Sequence, residues 1–168
     1  MFDVAEAIAE AQERGFDVCL GLTPTAARWL EPQQAELERL TGHPVRSSYK
    51  LPGEPDVWPK ADVIAFAPAT FNTLNAWALG ITRDFVVGVV AEGIGKGIPP
   101  MVAMPCVNAA YVQHRQFDRS VTELRDMGGV RVLYGDGGFV PNQPGQGRPG
   151  EYPWHLLLDA VEEIGGTR

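Results

Sequence analysis

Ala67–Asp84 reads A-P-A-T-F-N-T-L-N-A-W-A-L-G-I-T-R-D, and its reading sets the fold class of the whole chain. The apolar run before it, Val63-Ile64-Ala65-Phe66, has the length and content of a strand buried on both faces. The period then changes. Leu74, Trp77, Ala78 and Ile81 fall at i, i+3, i+4 and i+7, one face of a helix, and Gly80 stands where that helix can close. Between strand and helix lie Thr70, Asn72 and Thr73, short polar side chains able to cap a helix and to touch a ligand. A strand that feeds a helix N-terminus presents free backbone N–H groups and a positive dipole end. Strand–turn–helix units with a polar cap are common in α/β proteins, so the remaining chain has to supply further elements of the same kind.

It does so on both sides. Residues 2–14 place Val4, Ile8 and Ala11 on one helical face, ahead of Gly15. Phe16–Leu22 reads as a strand, Thr23 as a helix cap with Pro24 at the first helical position, and Glu31–Leu40 as further helix. Thr41-Gly42-His43-Pro44 stops that helix, and Val45-Arg46 is a short edge strand. Leu51–Lys60, with three prolines and one glycine, is an ordered loop. The run after Asp84 is rich in valine and is read as a helix from its position, although propensity favours a strand. Pro99–Met104 is the next buried strand, Pro105-Cys106-Val107-Asn108 the turn at its C-terminal end, and Phe117, Val121 and Leu124 the buried stripe of a following helix. Val130–Tyr134 is the last strand. Residues 135–150, rich in glycine and proline, form a flexible loop, and Trp154, Leu157, Leu158, Val161 and Ile164 line a closing amphipathic helix.

Composition narrows the class. At 168 residues the chain has the length of a single domain over residues 1–168. Fourteen Lys and Arg against twenty-one Asp and Glu give a net charge of −7, with no basic cluster, so nucleic acid is not expected as a partner. Cys19 and Cys106 lack metal-ligand spacing, and neither disulfide nor metal is expected. No apolar run approaches about 18 residues, so the expectation is a cytoplasmic protein that does not enter a membrane.

The order of residues in Pro68–Asp84 closely resembles the P-A-S/T-A-N-T…G-I-x-D segment of the flavin-containing cysteine decarboxylase superfamily, which includes phosphopantothenoylcysteine decarboxylases and lantibiotic-peptide decarboxylases. The resemblance covers roughly residues 2–134. It implies a three-layer, Rossmann-like open parallel sheet with helices on both faces, and FMN as cofactor. It also implies that Thr23, Ala69, Thr70, Asn72, Thr73 and Asp84 contact the flavin, with Phe71 where the family has a small residue. The family's P-A/x-M-N turn is matched by Pro105 and Asn108, so Asn108 is expected to orient the substrate, with Tyr111 and His114 facing the same cleft. The decarboxylases carry their catalytic histidine near the position of Glu54. No histidine lies between His43 and His114, so Glu54 is the candidate base, with Asp56 beside it.

Family members open on an apolar strand and a Gly-rich phosphate-binding turn, absent from these 168 residues. A misassigned start at Met1, or a fragment, is the corresponding expectation. The activity implied is oxidation and decarboxylation of a thiol-bearing small molecule or peptide by a homotrimer or a multiple of it. The alternatives are a non-catalytic flavin-binding or regulatory subunit, a flavin prenyltransferase-like enzyme, and a truncated chain that binds no flavin.

Overall fold

The computed structural model describes residues 3–97 and 99–165. Residue 2, the first of the expected opening helix, lies outside them, as does Met1. The chain divides into two compact units, Met1–Lys60 with Arg83–Val86, and Ala61–Thr82 with Val87–Arg168.

The first unit is built on helices α1 (Val4–Glu13), α2 (Pro24–Leu30) and α3 (Gln34–Thr41), with a short 3-10 turn at Glu31–Gln33 between the last two. Their apolar residues Ile8, Leu30 and Leu37 meet Leu22, just ahead of α2, in a core. Thr23 caps α2 as its sequence suggests: its hydroxyl accepts the Ala26 N–H at 3.1 Å, and Pro24 occupies the first turn. Gly42 closes α3 in the left-handed conformation at φ 71°. The strand expected over Phe16–Leu22 is reduced to one parallel bridge, Gly21 to Arg46, held by Leu22 N–H to the Arg46 carbonyl at 2.8 Å and Arg46 N–H to the Leu20 carbonyl at 3.1 Å. The reason lies in the partner. Pro44, just before Val45-Arg46, has no N–H to extend a ladder. Gly21 itself sits where a Cβ would come within 3.1 Å of Val86 and 3.4 Å of Trp58. Nearby the Arg46 guanidinium lies over the Phe85 ring at 4.3 Å and the Trp58 ring at 5.1 Å.

The second unit contains the sheet. Strands β1 (Ile64–Ala69), β2 (Met101–Pro105) and β3 (Val130–Val132) are parallel in the order β1-β2-β3. Alternate residues of β2 point to opposite faces and all of them are buried, so both faces of the sheet are covered. Helices α4 (Phe71–Ala78), α5 (Phe85–Lys96), α6 (Ala109–Val112), α7 (Arg115–Asp126) and α8 (Trp154–Gly165) complete the chain order, with the first two residues of α5 counted in the first unit. Helix α8 packs on β1 and β2, α7 on β3, and α4 on α7. The valine-rich run after Asp84 is the helix α5, with Val87 and Val90 buried, so position prevailed over propensity there.

Two expectations need correcting. β1 was read as buried on both faces, but it lies at the edge of the sheet. Ala65 is exposed and only Ala69 is fully buried. Ile81 does not continue the buried face of α4, because Gly80 turns left-handed at φ 68° and ends the helix, leaving Ile81 46% exposed.

Candidate functional site

The C-terminal ends of β1 and β2, neighbours in the parallel sheet, carry polar residues singled out in the sequence. Ala69 ends β1, and Thr70 caps α4: its hydroxyl accepts the Thr73 N–H at 3.4 Å and shares a 2.8 Å hydrogen bond with the Thr73 hydroxyl. Asn72, in the first turn of α4, is exposed, and its amide makes no hydrogen bond among the described residues. Pro68 has no N–H for the ladder, and the β1–β2 register shifts between Phe66 and Ala69.

One strand over, β2 ends at Pro105 opposite Ala69, and the Cys106 N–H bonds the Ala69 carbonyl at 2.8 Å. That bond holds the two turns side by side. Asn108 caps α6: its side-chain oxygen accepts from the Ala110 N–H at 3.0 Å and the Tyr111 N–H at 3.1 Å. Two N–H groups on one side-chain atom fix that atom as oxygen, so the Asn108 NH₂ points away from the backbone with two hydrogens to give. The ring of Tyr111 stacks on Phe71 at 4.7 Å between centroids and 25° between planes. His114 stands edge-on to Phe71 at 5.5 Å. The helical path breaks at His114, which caps α7, its Nδ1 accepting the Gln116 N–H at 3.1 Å.

A third segment completes the rim. The glycine- and proline-rich stretch after β3 folds back, so that Asn142 forms a parallel bridge with Asn108 and its carbonyl accepts the Ala109 N–H at 2.8 Å. Phe139 is buried against Tyr152, with ring centroids 5.8 Å apart, and Arg148 pairs with Glu151. Tyr152 is buried and donates its hydroxyl to the Met104 carbonyl at 2.7 Å. Burial, reinforced by Cys106 beside it, pushes the Tyr152 phenol well above its ordinary range. Burial also pushes the Cys106 thiol up, which keeps it protonated and unsuited to nucleophilic chemistry. Cys19 and Cys106 are both free thiols.

Thr23, Glu54 and Asp84 belong to the first unit. The carboxylate of Glu54 accepts the Leu51 N–H at 2.8 Å, closing a turn of its own loop, and Asp84 lies immediately before α5. The second unit therefore brings together Ala69, Thr70, Thr73, Asn108, Tyr111 and His114. Sequence reading missed Asn142, which acts through its backbone, and Tyr152, whose only signal was an aromatic residue following the glycine-rich stretch.

A family model described as Flavoprotein matches residues 1–162, nearly the whole chain. The chain belongs to the flavoprotein family. Among solved structures, the flavoprotein is similar to the FMN-dependent cysteine decarboxylase SpaF, at 25% identity and a TM-score of 0.63, covering 94% of this chain and 90% of that one. The FMN-dependent cysteine decarboxylase TvaF from thioviridamide biosynthesis is 18% identical at a TM-score of 0.64, covering 97% of this chain and 93% of that one. A PPC decarboxylase mutant complexed with pantothenoylaminoethenethiol is 17% identical at a TM-score of 0.63, covering 95% and 91%. The last two share the fold. No curated protein matches the flavoprotein by sequence. Among the described residues, no helix is long and apolar enough to cross a membrane, and no group of His, Cys, Asp and Glu is placed to hold a metal ion.

Proposed function

We propose that this flavoprotein binds FMN and acts as a decarboxylase on a thiol-bearing carboxylate, a cysteine-like small molecule or peptide end. The observation that carries the proposal is the pairing of the Thr70 and Asn108 turns through the Cys106 N–H to Ala69 carbonyl bond. It sets two polar turns together on the C-terminal rim of a parallel sheet, where open α/β folds bind ligands. The donor set suits a flavin. The Asn72 amide is uncommitted among the described residues, the first turn of α4 carries two hydroxyls, and the Asn108 NH₂ has hydrogens to give. Ala69, Thr70, Asn72 and Thr73 are assigned to hold it; for Thr23 and Asp84 a flavin contact is proposed from the resemblance alone.

Bound FMN supplies a two-electron sink for oxidising the carbon that bears the thiol, which makes loss of the carboxylate easy. The protein's own part is to bind and orient. The Asn108 NH₂ donates to the substrate carboxylate, and Tyr111 and His114 border it. Glu54 is assigned the proton transfer, since no histidine lies between His43 and His114. That same lack of a histidine favours a second reading, a flavin-binding subunit without turnover. A homotrimer or a multiple of it, in the cytoplasm, is the assembly and compartment we propose from the resemblance; sedimentation with and without FMN tests the former.

The test begins with the colour of the purified protein. A yellow chain absorbing at about 450 nm supports the flavin assignment, and a chain that stays colourless with added FMN refutes it. Carbon dioxide release from a peptide ending in cysteine then separates the two readings. In the enzyme, Asn108→Asp keeps the α6 cap and the flavin but loses turnover, and Glu54→Gln loses turnover with the flavin retained. A yellow wild type that releases no carbon dioxide supports the binding subunit.

A further inference from the structure

Every lysine and arginine that the structure describes is exposed, except Arg14 and Arg46, which are half-buried. Arg14 pairs with Glu10 at 2.6 Å. Arg46 pairs with no carboxylate among the described residues, in a chain with twenty-one Asp and Glu. A guanidinium has five N–H donors, and that of Arg46 makes one hydrogen bond, a long one of 3.5 Å to the Ser48 carbonyl. A charge drawn partly out of water in this way gives up hydration that its hydrogen bonds do not return.

Aromatic rings hold the group in place. It lies 4.3 Å from the Phe85 ring and 5.1 Å from the Trp58 ring. Phe85 is buried, with Tyr49 edge-on to it at 5.7 Å, and Trp58 is fixed by its indole N–H, which donates to the Pro44 carbonyl at 2.8 Å. Ring faces attract the positive charge but do not satisfy the N–H groups, so the side chain is positioned with donors to spare. The backbone adds two more. Gly21 and Arg46 form a parallel bridge, and the chain leaves its C-terminal end through Ser47 and Ser48, the end at which open α/β sheets take ligands. Neither serine hydroxyl makes a hydrogen bond among the described residues.

We propose that Arg46, Ser47 and Ser48 form an oxyanion site for a phosphate monoester. A guanidinium fork and two hydroxyls suit a group with three terminal oxygens, whereas a carboxylate has two. The site lies within the first unit and does not depend on the flavin assignment. Its phosphate is that of FMN or that of a separate phosphorylated molecule.

Calorimetric titration of the full chain with inorganic phosphate, at ionic strength held constant with chloride, tests the site. Saturable binding is expected, weakened about ten-fold or more in Arg46→Leu. The Ser47→Ala, Ser48→Ala double variant, which keeps the aromatic stack, should weaken it by about two- to ten-fold, with thermal unfolding showing that it folds. Loss of phosphate binding in the presence of FMN but not of riboflavin supports the flavin phosphate as occupant; binding that persists on the FMN-saturated chain supports a separate one. No saturable binding, a Kd unchanged in the serine variant, or acetate binding as tightly as phosphate overturns the proposal. A colourless protein that binds phosphate through these residues refutes the flavin assignment alone, and a yellow protein that does not refutes this site alone.

Discussion

Replacing Tyr152 by phenylalanine removes one oxygen and leaves the ring. In the native protein that hydroxyl is buried, 2.7 Å from the Met104 carbonyl and 3.4 Å from the Pro105 carbonyl. Met104 is 0% exposed, so its carbonyl has no access to water once the donor is gone. A buried carbonyl left without its partner costs about 1–3 kcal/mol. The aromatic contacts of Tyr152 with Phe139 at 5.8 Å and Trp154 at 4.9 Å survive, because phenylalanine keeps the ring. The second hydrogen bond is long and adds little, so Tyr152→Phe should lower stability by about 1–2 kcal/mol, read as a Tm drop of roughly 2–8 °C at this chain length. Denaturant unfolding should show a lower midpoint with an unchanged slope. Because Met104-Pro105 leads into the Asn108 turn, amide exchange at Cys106 and Ala109 should also quicken. A stability change within a few tenths of a kcal/mol, with exchange at those two amides unaltered, would refute the reasoning that this phenol anchors the end of β2.

Four further outcomes are expected. At Gly138 an added Cβ would lie 2.5 Å from the Leu133 carbonyl carbon and 2.6 Å from the Tyr134 nitrogen, so Gly138→Ala should cost about 1–3 kcal/mol or more. Gly147→Ala, with nothing within 4 Å, should stay within about 0.5 kcal/mol by the same thermal melt. Asn108→Ala should lose about 1 kcal/mol of capping, towards the low end because the turn is partly solvated, whereas Asn108→Asp should melt like the wild type. Ser120 is fully buried and relays a hydrogen bond from the Gln116 amide at 3.1 Å to the Asn75 side-chain oxygen at 2.8 Å, tying α7 to α4. Chemical denaturation of Ser120→Ala should show a loss of about 1 kcal/mol. On the alkaline side, the Cys106 and Tyr152 groups have folded pKa values raised above their ordinary 9.0 and 10.0. Their contribution is therefore complete below those ordinary values and is lost as pH rises through the folded ones. Stability measured against pH should fall above about pH 9, and less steeply in a Tyr152→Phe, Cys106→Ala double variant.

Local patterning made most of the elements legible. The change from a short apolar run to a 3.6-residue period at Thr70 located β1 and α4 within a few residues, because a cap, an apolar stripe and a terminal glycine are all written in neighbouring residues. Thr23 with Pro24, and Gly42, were readable for the same reason. The failures have a common cause. Phe16–Leu22 has strand composition, but a strand exists only where a partner supplies its hydrogen bonds, and the partner found pairs at one residue. β1 looked doubly buried because composition does not record which strand lies at an edge.

The candidate site divides along the same line. The order Pro-Ala-Thr-Phe-Asn-Thr and the Pro105–Asn108 turn pointed to polar strand ends and to the flavoprotein family without any coordinates, since each depends on residues adjacent in the chain. Which strand ends are neighbours was another matter. The Cys106 to Ala69 bond, the return of Asn142 to Asn108 and the stacking of Phe71 on Tyr111 join residues from about 30 to 40 positions apart. Such contacts are fixed by strand order and packing of the assembled sheet, and no local pattern in the chain encodes them.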